Sequence, residues 1–409
     1  MKSLLLFATL IFFLLRSGNL FSQPARFNPV LARDKNYGDE SYWGTITDIK
    51  QDPRGYIWLS TAFKGLQRYD GLHLISYTND PHNPNSLSNN RVPCFDIDSS
   101  GVIWAATYGD GLDKFDPERN SFTHFRHNML DESSLSDDTV YSILRDHLGI
   151  LWVGTYNGLD MLDEKKGKFT HFKNIPGDPS SLSFKRVWHL YEDRQGTLWV
   201  GCGSPFLTLG EKPEDGGLNR FDRSTGKFTR YLNDPGDSNT IANNKVRAIY
   251  EDRKGNFWVG SAGDGLHIMD RKTGRFTHYN YDPAHPDKLS RPALNPHEVY
   301  AIENITFINE DTKGSIWIGS VLNGINQYDP ATKKITHFNL NCFRSFSSKD
   351  GLVWFSTAEG DLYNINPSRK NIPYYTLHRP ANSLYYEEES NDLWIGGKGL
   401  MRKDLNTQS

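Results

Sequence analysis

Cysteine is scarce in this 409-residue chain, and its scarcity excludes two classes of protein. The three cysteines, Cys94, Cys202 and Cys342, are too few and too widely spaced for a disulfide framework. They form no Cys-x-x-Cys pair, so a zinc-ribbon type of metal site is excluded as well. We therefore expect these three residues to act as small apolar side chains.

An excess of positive charge is also lacking. The 46 Lys and Arg residues stand against 49 Asp and Glu residues, which gives a formal net charge of -3. A chain with this balance offers no broad cationic surface for nucleic acid or for anionic lipid. We therefore expect neither of them as a partner.

Long hydrophobic runs are confined to the N-terminus. Lys2 precedes an apolar run from residue 4 to residue 15, and the small residue Ser22 follows before Gln23. This order is typical of a secretory signal peptide, and the run is shorter than the roughly 20 residues that span a bilayer as a helix. We predict a signal peptide at residues 1–22 and an exported chain at residues 23–409, periplasmic or secreted, without a membrane span. An uncleaved N-terminal anchor is the alternative.

What the chain does contain is an internal repeat. Aromatic residues make up 13% of the sequence, and eight segments share the core pattern Leu-Trp-Val-Gly or a close variant of it. Successive tryptophans of this pattern are 37 to 59 residues apart, which suits one supersecondary unit per step. These tryptophans are Trp58, Trp104, Trp152, Trp199, Trp258, Trp317, Trp354 and Trp394.

Each repeat unit contains four strand-like segments. In the fourth unit they lie at residues 187–191, 198–201, 217–222 and 227–231, joined in part by tight turns that end in glycine. A single sheet of this kind leaves two apolar faces, and stacking several sheets around an axis buries them. The sequence therefore predicts an all-β propeller of four-stranded blades at residues 23–409.

The closure of the ring can also be predicted. The last unit supplies strands at 383–387, 393–396 and 400–404 and then ends without a fourth. We expect the segment 25–30 to complete it, so that N- and C-terminal strands share one blade. The first interpretation is eight repeat units in eight blades, and seven blades are the alternative because the last two units are degenerate.

The repeat has a recognisable form. Asp-x-x-Gly-x-Leu-Trp-Val-Gly is followed by Gly-Leu-x-x-Phe-Asp, by Phe-x-x-Tyr and by the linker Ser-Leu-Ser, most clearly around Trp104, Trp152, Trp199, Trp258 and Trp317. This pattern resembles the two-component regulator propeller repeat. The resemblance implies the periplasmic sensor of Bacteroidetes-type hybrid two-component regulators, many of which respond to breakdown products of polysaccharides.

The chain departs from that family in one respect. The sequence ends at Ser409 without the kinase, receiver or DNA-binding modules that such regulators carry. We therefore expect either a free-standing recognition module or a truncated sensor. A second sensor chain, or the rest of a split receptor, is the expected protein partner.

Catalytic signatures are lacking too. The sequence contains no His-Glu-x-x-His, no Gly-x-Ser-x-Gly and no phosphate-binding glycine loop. His124, His171, His278 and His337 occupy equivalent fourth-strand positions in four units, so they are expected to be structural. Residues 96–101 begin like a calcium loop but coincide with the ordinary blade turn. We predict no enzymatic activity, no cofactor and no metal site.

A ligand is expected where the units differ most. The loops between the second and third strands vary from unit to unit, as do the first-strand residues near the axis. Aromatic rings beside Asp, Asn and Arg suit sugar rings, although packing between blades is the alternative role for each ring. The candidate ligand-binding residues, with Tyr108, Tyr156 and Trp188 as the favoured group, are Phe63, Tyr108, Asp110, Tyr141, Tyr156, Asn157, Trp188, Phe206, Arg247, Asp264, Asn323 and Arg344.

The leading functional hypothesis is a non-catalytic propeller that senses an oligosaccharide or related glycan fragment for two-component signalling. The alternatives are a propeller enzyme, a lyase or glycosidase with its site at the axial mouth, and a fragment of a hybrid sensor kinase. A carboxylate pair or a loop-borne histidine facing the axis would favour the enzyme.

Overall fold

The computed structural model describes residues 28–31, 45–205, 212, 214–263, 265–279, 304–320, 324–338, 340, 342–357, 360–368, 383–387, 390, 392–397 and 399–404. The predicted signal peptide and the stretch 23–27 lie outside these residues. The chain divides into two compact units, residues 1–368 and 369–409. Every helix or strand assigned within the described residues is a β-strand, and these residues include no helix of the length and hydropathy that crossing a bilayer requires.

The first unit contains four-stranded antiparallel sheets, and in blades 1 to 6 each sheet is made of strands that follow one another in the chain. Blades 1 to 3 consist of β2 to β5 (Ile46–Gln51, Ile57–Thr61, Leu66–Tyr69, Leu74–Tyr77), β6 to β9 (Phe95–Ile97, Ile103–Ala106, Leu112–Asp116, Ser121–Phe125) and β10 to β13 (Val140–Arg145, Leu151–Thr155, Gly158–Asp163, Lys168–Phe172). Blades 4 to 6 consist of β14 to β17 (Val187–Glu192, Leu198–Cys202, Gly217–Asp222, Lys227–Tyr231), β18 to β21 (Val246–Glu251, Phe257–Ser261, Leu266–Asp270, Arg275–Tyr279) and β22 to β25 (Ile305–Glu310, Ile316–Ser320, Gly324–Asp329, Lys334–Phe338).

Blade 7 is assembled from both ends of the first unit. Its inner strands are β26 (Cys342–Ser347), β27 (Val353–Thr357) and β28 (Leu362–Ile365), and its outer strand is β1 (Asn28–Leu31). Strand β1 pairs antiparallel with β28, with Asn28 opposite Asn364. The first strand of each blade contacts that of the next, and β26 contacts β2, so the ring closes.

The described part of the first unit therefore forms a ring of seven blades, which confirms the seven-blade alternative rather than the eight-blade interpretation. The N-terminal strand completes a blade, as predicted, but that blade contains Trp354 rather than Trp394. The eighth repeat forms a three-stranded antiparallel sheet in the second unit, with β29 (Ser383–Glu387), β30 (Asp392–Gly397) and β31 (Gly399–Asp404).

The repeated tryptophan is anchored by the aspartate of the preceding turn. Asp146 Oδ1 accepts hydrogen bonds from the amides of Leu148 and Ile150, and its Oδ2 accepts one from Trp152 Nε1 at 2.8 Å. Equivalent Asp–Trp bonds of 2.8 to 3.0 Å link Asp52 to Trp58, Asp193 to Trp199, Asp252 to Trp258 and Asp311 to Trp317. The aspartate side chain thus both closes the turn and binds the buried indole. This double role explains the constant spacing from Asp to Trp in the motif.

Two positions of the motif require glycine, each for a different physical reason. Gly149 ends the turn at a φ of 80°, a conformation that glycine adopts without steric cost. Gly154 lies within the tryptophan strand β11, where a Cβ atom would be 2.2 Å from Ser142 Oγ of the same blade and 2.6 Å from Val187 Cγ1 of the next. The Trp-Val-Gly sequence therefore allows the innermost strands to pack.

The fourth-strand histidines bind structural partners. His171 Nδ1 lies 2.7 Å from Oδ1 of the buried Asp160, and its Nε2 lies 2.8 Å from the carbonyl oxygen of Glu132 in the linker between blades. His124 repeats this arrangement with Asp113 and the carbonyl of Pro84. This geometry confirms the structural role predicted for these two histidines, which fasten the linker to the blade.

These two pairs make stability depend on pH. Asp160 raises the pKa of His171 above its ordinary value, and Asp113 does the same for His124. A raised folded-state pKa stabilises the fold below the unfolded value of about 6.5, and this contribution is lost as the pH rises through the folded value. We expect the double variant His124→Asn, His171→Asn to flatten the decline in unfolding free energy above pH 6.5, measured by urea titration. An unchanged pH profile would contradict this role.

Candidate functional site

The innermost strands carry a repeated irregularity at the start of the blade. In β10 the pairing with β11 skips Tyr141, since Val140 lies opposite Thr155 and Ser142 opposite Gly154. The same bulge occurs at the equivalent residues of other blades, namely Thr47, Trp188, Arg247, Thr306 and Phe343. A bulge redirects the side chain of the extra residue, so these positions can face the end of the ring rather than the sheet.

Two adjoining cavities lie at this end of the ring and share Tyr108, Tyr141 and Trp188. The larger cavity, of about 520 Å³, is completed by Asp137, Thr139, Tyr156, Arg186 and Ser204. The smaller cavity, of about 150 Å³, is completed by Thr47, Ala62, Arg91, Val92, Pro93, Arg247, Phe343 and Arg344. The larger volume is within the range of about 300–1,000 Å³ that is usual for small-molecule sites.

Aromatic rings form the wall between the two cavities. The rings of Tyr141 and Trp188 stack with centroids 4.7 Å apart and an interplanar angle of 26°. Tyr108 meets Tyr141 edge-on at 6.0 Å, and the Arg247 guanidinium lies over the Trp188 ring at 5.5 Å. This continuous aromatic surface, flanked by polar groups, can bind an apolar face of a ligand while the rim binds its polar substituents.

Basic groups surround the Tyr156 hydroxyl in the larger cavity. Lys185 Nζ lies 3.4 Å from the Tyr156 oxygen, and the Arg186 guanidinium lies 4.5 Å from its ring centroid. Hydrogen bonds from Lys185 and Arg186 hold the pKa of Tyr156 below its ordinary value. The phenol is therefore a stronger acid than an isolated tyrosine.

Positive charge is concentrated beside the smaller cavity. Burial and the charge of Arg344 lower the pKa of Arg247 to about 9, so Arg247 stays protonated at neutral pH. Burial, together with Arg344 and Arg247, lowers the pKa of His189 to about 3, so this imidazole is neutral there. The arrangement favours an anionic or hydrogen-bond-accepting group in the smaller cavity.

Six of the residues predicted from the sequence lie together in these linings: Tyr108, Tyr141, Tyr156, Trp188, Arg247 and Arg344. Three others lie outside the described linings of both cavities. Asp110 is bound to Asn89 and Arg126, the Asn157 amide closes a turn on Thr155, and Phe63 is exposed beside Arg91. The remaining three, Phe206, Asp264 and Asn323, fall outside the part of the chain that the structure describes.

Several lining residues were missed because they precede or begin the first strand rather than occupy a loop between strands two and three. Arg91, Thr139 and Arg186 each come directly before a buried valine, Val92, Val140 or Val187, that lies at the start of the first strand or shortly before it. An alignment of the repeat units on that valine would have identified these three lining residues, since equivalent residues of neighbouring blades lie close together at this end of the ring. Asp137 and Ser204 lie elsewhere in their units and have no such signal.

Solved structures with the same architecture come from several bacteria. The extracellular domain of a hybrid two-component system of B. thetaiotaomicron matches with a TM-score of 0.63 at 24% identity, over 89% of this chain and 46% of that chain. This chain thus spans about half of that structure. PorZ, a surface component of the type-IX secretion system of Porphyromonas gingivalis, matches with a TM-score of 0.60 at 17% identity, over 87% and 51% of the two chains.

An inactive virginiamycin B lyase from Staphylococcus aureus matches with a TM-score of 0.58 at 13% identity, over 83% of this chain and 99% of the lyase. At these identities the likenesses establish the fold alone. No curated protein matches the chain.

The sequence repeat is more specific than these structural likenesses. The two-component regulator propeller repeat matches residues 134–157, 181–204 and 240–263. Each match begins in the linker before a blade and runs to the tryptophan strand or just beyond it in blades 3 to 5, so it coincides with the repeat that builds the ring. The chain carries two-component regulator propeller repeats, and the resemblance identified from its sequence is confirmed.

Proposed function

We propose that this propeller is an exported ligand-sensing module for two-component signalling, and that it binds an oligosaccharide without converting it. The ligand occupies the larger cavity, with a sugar ring on the stacked Tyr141 and Trp188 and its hydroxyl groups against Asp137, Arg186 and Ser204. The aromatic wall shared by the two cavities is the observation that carries this proposal.

Three further observations support it. The repeat is that of two-component regulator propellers, and a structure with the same fold is the extracellular domain of such a system. The N-terminal sequence is typical of an export signal. The lining differs from blade to blade at equivalent bulge positions, as expected where a repeated scaffold binds an asymmetric ligand.

The proposal is tested by titrating the purified chain with a panel of plant and host oligosaccharides, using calorimetry and tryptophan fluorescence. We expect saturable binding by at least one sugar, which chromatography then recovers intact. Trp188→Ala should weaken that binding at least about 30-fold, since removing a central aromatic contact costs about 2 kcal/mol or more.

Phe63→Ala provides the matched control, because Phe63 is an exposed aromatic residue outside both linings. The Phe63→Ala variant should bind the same sugar with the affinity of the unaltered chain. Equal weakening by both variants would contradict the site, and an absence of binding across the panel would contradict the proposed ligand class.

One observation favours a second candidate function, a lyase. Hydrogen bonds from Lys185 and Arg186 lower the pKa of the Tyr156 hydroxyl, and a phenol that loses its proton more readily is better suited to act as a general base. If the bound sugar is cleaved, and if Tyr156→Phe abolishes cleavage while binding persists, the lyase replaces the non-catalytic sensor. Recovery of intact sugar from the unaltered chain excludes cleavage of the sugars tested.

A further inference from the structure

The smaller cavity contains three arginines and no carboxylate among its described lining residues. Arg91, Arg247 and Arg344 form no ion pair with any carboxylate in the described part of the chain. The buried carboxyl of Asp48 does interact with Arg344, but it interacts more strongly with Lys50. Positive charge therefore exceeds negative charge in the described lining of the smaller cavity, although the whole chain is slightly acidic.

Two arginines that link neighbouring blades, Arg223 and Arg271, are paired with carboxylates instead. Arg223 bonds Asp146 and Glu192 at 2.7 and 2.9 Å, and Arg271 bonds Asp193 and Glu251 at 2.8 and 2.6 Å. A buried charge without a partner is costly, so such pairing is the usual arrangement. The arginines of the smaller cavity depart from that arrangement and need another explanation.

Arg247 shows the departure most clearly. Its side chain is almost fully buried, with 3% of the residue exposed, and its Nη1 donates to Asn304 Oδ1 at 2.7 Å. Its Nε is buried and has no hydrogen-bond acceptor in the described structure. The guanidinium is positioned over the Trp188 ring beside Arg344, whose Nη1 donates only to backbone oxygens, those of Thr306 and Phe343. Both guanidinium groups therefore carry N–H donors that have no acceptor in the described structure, and both groups line the smaller cavity.

We propose that the ligand of this site is an acidic glycan, and that Arg247 and Arg344 bind its anionic group in the smaller cavity while its ring packs on Tyr141 and Trp188. This inference rests on the proposed function and narrows its ligand class. A cavity of about 150 Å³ has room for a carboxylate or a sulfate ester, since a water molecule occupies roughly 30 Å³. Guanidinium groups bind both oxyanions through paired N–H donors.

The test compares acidic sugars with neutral counterparts of the same ring structure. The probes are trigalacturonate and its methyl ester, a glucuronate-containing disaccharide and its reduced neutral form, and a sulfated disaccharide with its unsulfated form. We expect at least one acidic probe to bind at least about tenfold more tightly than its neutral counterpart, with affinity that falls as salt is added. The carboxylate and sulfate arms identify which oxyanion the site prefers.

Variants then locate the anionic group. Arg247→Gln and Arg344→Gln should each weaken the acidic probe by about 10- to 100-fold, the loss expected for a charge-assisted hydrogen bond, and Arg344→Lys should weaken it less. Weak binding of the neutral counterpart should not change. Arg119→Gln is the matched control, because Arg119 is exposed and lies outside both linings. Thermal unfolding of each variant verifies that the ring stays folded.

The outcomes separate the two proposals. Equal binding of acidic and neutral probes, or binding of neutral probes only, would overturn the acidic-glycan inference and leave the sensor proposal standing. Acidic binding that is unaffected by Arg247→Gln and Arg344→Gln would also overturn it. Binding of no sugar of either kind would overturn the proposed function and this inference with it.

Discussion

Asp146→Ala is expected to destabilise the propeller by about 3–5 kcal/mol, because a buried indole donor and two turn amides lose their acceptor and an ion pair between blades is broken. The carboxylate is fully buried and accepts the Trp152 indole N–H, two turn amides and the Arg223 guanidinium of the next blade. Its loss leaves the buried indole donor of Trp152 without an acceptor and leaves Arg223 with Glu192 as its only carboxylate partner at the boundary between blades 3 and 4. The midpoint of urea unfolding, monitored by tryptophan fluorescence, measures the change.

Asp98→Ala is the matched control within the same chain. Asp98 closes the equivalent turn of blade 2 by accepting from the amides of Ser100 and Val102. The indole nitrogen of Trp104, however, has no hydrogen-bond partner among the described residues. We expect Asp98→Ala to cost only about 1–2 kcal/mol, the value of the turn bonds. Equal costs at both positions would show that the turn, rather than the indole and the arginine, stabilises the blade.

The contribution of the Asp146 carboxylate to stability should also depend on pH in the acid range. Burial alone would raise the pKa of Asp146, but hydrogen bonds from Trp152 and Arg223 hold it below its ordinary value. A lowered folded-state pKa stabilises the fold above the unfolded value of about 3.9, and this contribution is lost as the pH falls through the folded value. The difference in stability between the unaltered chain and Asp146→Ala should therefore shrink in acid.

The blade could be predicted from the sequence because its information is local. The Asp-to-Gly turn, the tryptophan strand and the third strand lie within about 25 residues, and each segment of the motif has a physical cause within its own blade or the next. The aromatic group at the mouth was predicted for a related reason. Tyr141 and Trp188 occupy one position of the repeat, so the symmetry of the ring brings them together.

The features that could not be predicted depend on distant parts of the chain. Counting tryptophans does not reveal whether segment 28–31 pairs with the seventh or the eighth unit, because this pairing joins segments more than 300 residues apart. The cationic character of the smaller cavity was missed because Arg91, Arg247 and Arg344 come from three blades and are about 100 to 250 residues apart. The bulges could not be predicted from the alternation of polar and apolar residues either, since each bulge shifts the inward-facing register by one residue.

Removal of the closing strand is the second change with a large expected effect. Strand β1 supplies the outer strand of blade 7, and its Val30 packs against a buried cluster that includes Ile46, Trp354 and Leu362. Without it, the edge of β28 is unpaired and the ring is held shut by the contacts of β2 with β26 and β27. A chain that begins at residue 32 should lose about 3 kcal/mol or more, the sum of several strand hydrogen bonds and one partly buried valine.

A chain that ends at residue 368 is the matched truncation, and it removes the three-stranded sheet of the eighth repeat instead. Every strand of the seven-bladed ring lies between residues 28 and 365, so we expect this chain to keep its unfolding midpoint and its ligand affinity. The backbone amides of β28 should be protected from hydrogen exchange in the chain that ends at residue 368. In the chain without β1 they should exchange fast. The reverse result would mean that the last unit closes the ring, because the N-terminal strand would then be dispensable for blade 7.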